Sequence, residues 1–360
     1  MLEKPFSLHL FSASRPINFP LFGCIALDHS LRSNNRLICF GLGVNDPYRF
    51  FETTKNLLEK YGENRVFETP TSENAMTGIG IGLAINNYPC VMMHQRLDFF
   101  LLAMDQLVNN AAKWHFMYGG KKSVPITIRL IIGKGWGQGP THSQSLQSWF
   151  AHIPGLKVIM PSLPSNAYSL LIQSIKDPNP VIFIEHRWLH EISEKKINKK
   201  KIKIGDCQLL SKGKDLTVIT YSLSTIEMMN LKKIINKSGI NFDHVDLLSI
   251  KPIDYKSIKK SLLKTKNLLI LDSISNPICS VGSEIISLIS RDKNIKLKNT
   301  PSMLTLPDIS SPTSFYHTKN YYISKKDIVK EIMRLTNKQI KIVIDKDLHD
   351  VPNSKFKGPF

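Results

Sequence analysis

Short apolar runs rich in β-branched residues alternate with amphipathic segments along most of this 360-residue chain, and that alternation narrows the available folds more than any other feature. Residues 89–93 read as a buried strand. A helix is expected over 100–118, with Leu101, Met104, Leu107, Val108 and Ala111 on one stripe at three-and-four spacing. Strands follow at 125–132, 156–160 and 180–184, with a helix over 164–176 between the last two. Alternation of this kind predicts a mainly parallel sheet covered on both faces. A second alternating unit starts near residue 215. Strands are expected at 216–221, 242–247 and 268–271, with helices over 224–236, 253–263, 280–290 and 325–335. Lysine-rich residues 191–214 read as a linker, and 337–360 as a polar tail.

Composition excludes several classes. At 42% hydrophobic and 21% charged residues the chain is an ordinary globular protein of two domains. No apolar run approaches the roughly 20 residues that cross a bilayer. The start, Met1-Leu2-Glu3-Lys4-Pro5, lacks a signal-peptide core, so a cytoplasmic protein is expected. Cys24, Cys39, Cys90, Cys207 and Cys279 are scattered and form no Cys-x-x-Cys pair, which argues against a disulfide framework or a zinc ribbon. The formal charge of +19 is mostly lysine. Its densest run, Lys195 to Lys203, contains no aromatic residue on which a base could stack, and reads as a solvated linker rather than a specific nucleic-acid site. No acid occurs between Asp105 and Asp177, so that stretch favours an anionic ligand or an acidic partner, unless it is composition bias expressed locally.

One carboxylate, Glu73, stands at the mouth of a helix whose first turns carry Gly78, Gly80 and Gly82. Glycine costs about 1 kcal/mol in a helix interior, so three of them predict close packing against that helix. The acid either complements the helix dipole or serves chemistry. Gly133-Lys134-Gly135-Trp136-Gly137-Gln138-Gly139-Pro140, ahead of His142, lacks the later acid of a dinucleotide fingerprint and the Gly-Lys-Ser/Thr of a Walker loop. It reads as a mobile or partner-facing loop.

The motifs in order are Tyr61-Gly62-Glu63-Asn64-Arg65-Val66-Phe67-Glu68-Thr69-Pro70 with Glu73, Ala103-Met104-Asp105-Gln106-Leu107-Val108-Asn109, His142-Ser143-Gln144, Phe150-Ala151-His152-Ile153-Pro154-Gly155-Leu156-Lys157-Val158, and Asp177-Pro178-Asn179-Pro180-Val181. Over residues 35–336 this order resembles the β subunit of the thiamine-dependent 2-oxoacid dehydrogenase decarboxylase component, as in pyruvate and branched-chain 2-oxoacid dehydrogenases. The resemblance implies an α/β fold: a mainly parallel-sheet pyrimidine-binding domain at 36–190, then a transketolase-type C-terminal domain at 215–336. Residues 1–35 match poorly, with Pro16 and Pro20 where a helix would be expected.

The resemblance also implies roles. Glu73 matches the acid that bonds the cofactor's aminopyrimidine, Phe99 the aromatic that stacks on it, and His142 a histidine on the substrate side. Arg96 is suited to a substrate carboxylate or to an ion pair with Asp98, and Gln144 lies beside His142 as a further substrate candidate. His152 is expected to be structural. Ser174, Asp177 and Asn179 match a potassium-binding turn of some members. No Gly-Asp-Gly segment for magnesium and diphosphate occurs, and Gly205-Asp206-Cys207 is the nearest approach. The chain therefore carries half a thiamine diphosphate site. An α-type subunit would hold the Mg2+ and diphosphate in an α2β2 heterotetramer, with a lipoylated acyltransferase core as a further partner. Where many members carry Gly-Glu-Asp-Val, this chain has Gly41-Leu42-Gly43-Val44 and lacks the acid. A split transketolase, an acyloin-forming enzyme and a catalytically silent assembly subunit are the competing readings. The C-terminal Gly-Pro-Phe is expected to reach over a partner subunit.

Overall fold

The computed structural model describes residues 16–194, 202–340, 349–353, 356 and 358. Most of the lysine run at 195–203 and the last two residues of the chain lie outside them. The first unit holds β1 (Ile17–Asn18), α1 (Phe19–Ser33), β2 (Ile38–Gly41), α2 (Leu57–Tyr61), β3 (Val66–Glu68), α3 (Glu73–Ile85) and β4 (Cys90–His94). It continues with α4 (Leu97–Phe100), α5 (Ala112–Met117), β5 (Ile126–Ile132), α6 (Gln147–His152), β6 (Lys157–Ile159), α7 (Pro164–Lys176), β7 (Val181–His186) and β8 (Ser193–Glu194). The second unit holds β9 (Gln208–Ser211), β10 (Leu216–Thr220), α8 (Leu223–Lys237), β11 (Phe242–Asp246), β12 (Ser249–Lys251), α9 (Tyr255–Thr265) and β13 (Leu268–Asp272). It ends with α10 (Val281–Arg291), β14 (Ser302–Thr305), α11 (Phe315–Tyr321) and α12 (Lys325–Thr336).

The first sheet has the order β12-β6-β7-β5-β4-β2-β3 and the second β14-β13-β10-β11-β9. Every pairing within them is parallel except those of the edge strands β12 and β9. The central parallel strands are buried along their whole length and mostly apolar because both faces are covered. Strand β12 leaves the second unit to pair with β6 of the first, and Met160 N–H donates to Leu248 O at 2.8 Å beside it. One apolar cluster then runs unbroken from Phe40, Ile126 and Phe150 to Tyr221, Val245 and Ile285, which welds the units together.

Three differences from the sequence reading have local causes. Pro20 lies in the first turn of α1, where its missing N–H costs nothing, and the Asn18 side chain accepts from Leu21 N–H, so a helix forms despite the prolines. The expected helix over 100–118 is a chain of α, 3-10 and π turns. Its buried positions step by three through Leu97, Phe100 and Ala103, then by four through Leu107 and Ala111. Tighter turns followed by wider ones keep all five on one face. Within the stretch read as linker, Ser193–Glu194 pairs with β1, and β9 pairs with β11. Among the described residues no helix is long and apolar enough to cross a membrane.

Ser222 joins β10 to α8 at φ 51 and ψ −132, a region that disfavours any side chain, and its buried Oγ has no hydrogen-bond partner. Ser222→Gly is expected to raise stability by about 1 kcal/mol, read as the midpoint of denaturant unfolding. Gly80 and Gly82 test the packing of α3 in opposite senses. A Cβ at Gly80 would lie 3.0 Å from Ile126 Cδ1 and 3.1 Å from Phe40 Cζ, whereas among the described residues nothing outside its own helix turn lies within 4 Å of one at Gly82. In the isolated chain Gly80→Val should therefore cost about 2 kcal/mol. Gly82→Ala should gain up to about 1 kcal/mol.

Candidate active site

Parallel strands present all their C-terminal ends to one edge of the sheet, where α/β proteins bind ligands. Here that edge gathers the segment after β3 with Glu73, the segment after β4 with Arg96 and Phe99, and the loop after β5 with His142 and Gln144. The loop after β2 and Arg187 after β7 join them. The Ser174-Asp177-Asn179 turn precedes β7 and so lies at the opposite edge.

Glu73 is the first residue of α3, following Ser72 in extended backbone. It is only 6% exposed at the sheet edge. Thr77 Oγ1 donates to the Glu73 carbonyl at 2.8 Å, which fixes the first turn. Of the three glycines, Gly80 alone is in tight contact, against Phe40 and Ile126; Gly78 makes an ordinary contact with Gln106. A carboxyl on so little exposed a residue at this edge suits a ligand that supplies a nitrogen donor.

Phe99 is 42% exposed, and its ring meets that of His142 edge-on at 5.2 Å between centroids. His142 Nδ1 lies 3.0 Å from Thr141 Oγ1. It does not cap α6, which begins five residues later at Gln147. The residue that joins the two segments is Asp98. Its Oδ1 accepts from the Gln144 backbone N–H at 3.2 Å and from Gln144 Nε2 at 2.9 Å. Burial raises the Asp98 carboxyl above its ordinary range, and the bonds from Gln144 offset part of that. Sequence reasoning considered Asp98 only as a partner for Arg96. Its position next to Phe99 was the available signal.

Arg96 is 7% exposed, donates from Nη1 to Gln95 O at 2.9 Å, and stands 6.0 Å from the centre of the Phe51 ring. Burial, with Arg187 nearby, lowers it to about 10, so it stays charged at neutral pH. Arg187 is on the same ring at 4.8 Å. Where the expected acid is replaced by Leu42, the carboxylate of Glu68 receives the N–H groups of Gly43 at 2.7 Å and Asn45 at 2.8 Å. The glycine loop, expected to be mobile or partner-facing, is held by its own chain: Gly135 N–H donates to Tyr322 Oη at 2.8 Å and Trp136 N–H to Asp350 O at 2.9 Å. The described part of the tail thus packs on this chain.

At the far edge, Asp177 Oδ2 pairs with Lys157 at 2.5 Å and its Oδ1 accepts from Asn179 N–H at 3.0 Å. Ser174 Oγ donates to Leu170 O at 2.8 Å, while Asn179 Oδ1 is buried without a partner. No group of three or more His, Cys, Asp or Glu side chains that could hold a metal occurs among the described residues.

Residues 26–191 match the transketolase pyrimidine-binding domain family, and 205–328 the transketolase C-terminal domain family. The chain is 31% identical over 316 residues to the pyruvate dehydrogenase E1 component subunit beta of Mesostigma viride, covering 87% of this chain and 96% of that one. It is 35% identical over 262 residues to the acetoin:2,6-dichlorophenolindophenol oxidoreductase subunit beta of Cupriavidus necator, covering 72% and 77%. A solved structure titled split gene transketolase, inactive beta4 tetramer, superposes with a TM-score of 0.72 at 16% identity over 90% of this chain and 99% of that one, a likeness of fold alone. The chain belongs to the family of pyruvate dehydrogenase E1 β subunits, the β subunits of thiamine diphosphate-dependent 2-oxoacid dehydrogenases.

Proposed function

We propose that this chain contributes the aminopyrimidine half of a thiamine diphosphate site completed by an α-type subunit in an α2β2 heterotetramer, which decarboxylates a 2-oxo acid and passes the acyl group to an acceptor. The observation that carries this is Glu73, an acid only 6% exposed at the sheet edge that also gathers Phe99, His142 and Gln144. Bound thiamine diphosphate supplies the electron sink. Glu73 holds a proton against the pyrimidine nitrogen, a role that needs an acid in a dry place. Phe99 offers its exposed face to the ring. His142 moves a proton through Nε2, since Nδ1 is engaged by Thr141. Arg96 receives the substrate carboxylate, and Gln144 keeps Oε1 for the substrate while its nitrogen is held by Asp98.

With no Gly-Asp-Gly segment in this chain, Mg2+ and the diphosphate belong to the partner. The unpartnered Asn179 Oδ1 supports a potassium ion at the Ser174-Asp177-Asn179 turn. A lipoylated core as acceptor and a cytoplasmic location complete the reading. A second reading, cleavage or formation of an acyloin, is favoured by the 35% identity to the Cupriavidus necator oxidoreductase subunit. Product analysis with and without lipoylated acceptor separates the two.

Calorimetric titration with magnesium–thiamine diphosphate is expected to show tight binding by the α–β pair and none by this chain alone. Glu73→Gln should lower kcat of the pair by about 100-fold or more. Full activity in that variant would assign the chain to silent assembly. A second expectation concerns pH. Gln144→Ala removes the side-chain bond that holds the Asp98 carboxyl down, so burial raises it further and it takes up a proton at higher pH. The acid limb of the kcat/KM profile should move to higher pH, with little change on the alkaline side. An unmoved limb would remove Asp98 from the site.

A further inference from the structure

The loop that leads from β5 to His142 adopts a backbone it should not hold unaided. Gly135, Trp136 and Gly137 are consecutive left-handed residues, at φ 74, 52 and 72. The conformation is free for the glycines and costs about 1 kcal/mol or more at the tryptophan. The C-terminal segment lies against that residue. Trp136 N–H donates to Asp350 O, a contact so close that a side chain on Gly135 would collide with the Asp350 backbone. Phe356 meets the Trp136 ring edge-on at 5.6 Å, and a Cβ on Gly358 would run into that ring.

The segment is anchored at its other end by His349. Its ring stands 4.4 Å from that of Phe315, with Nε2 3.2 Å from Phe315 O. Tyr322, just past α11, binds Gly135 N–H, and Lys134 pairs with Glu227 of α8 at 2.8 Å while lying 5.1 Å from the Trp188 and Tyr322 rings. Residues 349 and 351–353 close a cavity of 390 Å³ whose other walls come from both units. The tail therefore bridges the second unit to the loop of the first.

We infer that the C-terminal segment is a positioning element of the active site: through Asp350, Phe356 and Gly358 it clamps Trp136 and so sets the loop that carries His142 and Gln144. Five residues separate Trp136 from His142, and the loop's far end is already pinned by the bonds of Gln144 to Asp98. Clamping both ends orders the histidine between them. The inference rests on the roles proposed above for His142 and Gln144.

Hydrogen exchange at the 133–146 amides tests the clamp with no assay of activity. The chains compared are the full chain, a chain ending at Ile340, and Gly358→Val, which keeps the tail and spoils its fit. Exchange at 133–146 should be at least tenfold faster in both variants, with the β4 and β5 amides unchanged. Equal exchange in all three chains overturns the clamp. In the α–β complex both variants should lose at least tenfold in kcat, while KM and the affinity for magnesium–thiamine diphosphate stay within twofold. Trp136→Phe should retain most of the activity that Trp136→Ala loses. An unchanged kcat in chains whose loop has loosened overturns the positioning role. If the complex of the full chain neither binds the cofactor nor turns over, the proposed function fails, while the exchange result still decides the clamp.

Discussion

The arrangement at the sheet edge depends on a buried ion pair. Arg129 of β5 is fully buried and pairs with Glu185 of β7, with Nε donating at 2.7 Å. Isolated, either charge would be prohibitive there, so the pair depends on its close geometry and on the further partners each ion finds. Arg129 Nη1 donates to Thr53 Oγ1 at 3.0 Å, its guanidinium lies 4.9 Å from the centre of the Phe50 ring, and the second oxygen of Glu185 lies 3.3 Å from His190. Burial would raise the Glu185 carboxyl, and Arg129 and His190 nevertheless hold it below its usual range. These contacts tie two central strands to the loop after β2 and to the segment after β7.

That loop shows what the anchor supports. Arg49, Phe50, Phe51 and Glu52 are all left-handed, at φ 47 to 68, a run that costs about 1–2 kcal/mol per residue for L-amino acids. Burial of Phe50 and Phe51 and their stacking with Arg129, Arg96 and Arg187 offset it. The loop after β5 follows the same logic with a different partner, since its left-handed tryptophan is held by the tail. In both places a backbone unfavourable by itself is stabilised by a buried ring or a distant segment, at the edge where the substrate-side residues gather.

The fold class was legible because parallel strands buried on both faces appear as apolar runs, and α7, β13 and α12 came out within a residue or two of their expected spans. Short strands were missed. β2, β3 and β12 have four residues or fewer, too short for periodicity to register, and β12 exists only because the other unit offers it an edge. The stripe over 100–118 revealed helix but not its mixture of turns, which depends on the sheet beneath. At the site, the resemblance marked Glu73, Phe99, His142 and Gln144 as candidates, while Asp98 was read only as a partner for Arg96, and Glu68 and Trp136 were given no role. Each of these three acts through a group remote in sequence: Gln144, the N–H groups of Gly43 and Asn45, and Asp350.

Local patterning and ordered motifs, carried by neighbouring residues, were enough to read this chain as a two-unit α/β member of the E1 β-subunit family in which no Gly-Asp-Gly tripeptide occurs. How the units join, through β12 and one continuous core, and which groups meet at the sheet edge emerge from three-dimensional packing alone. It also decided that the glycine loop is fastened by the end of its own chain. Contacts between residues some 200 positions apart leave no local pattern, since the chain must first close large loops before such groups can touch.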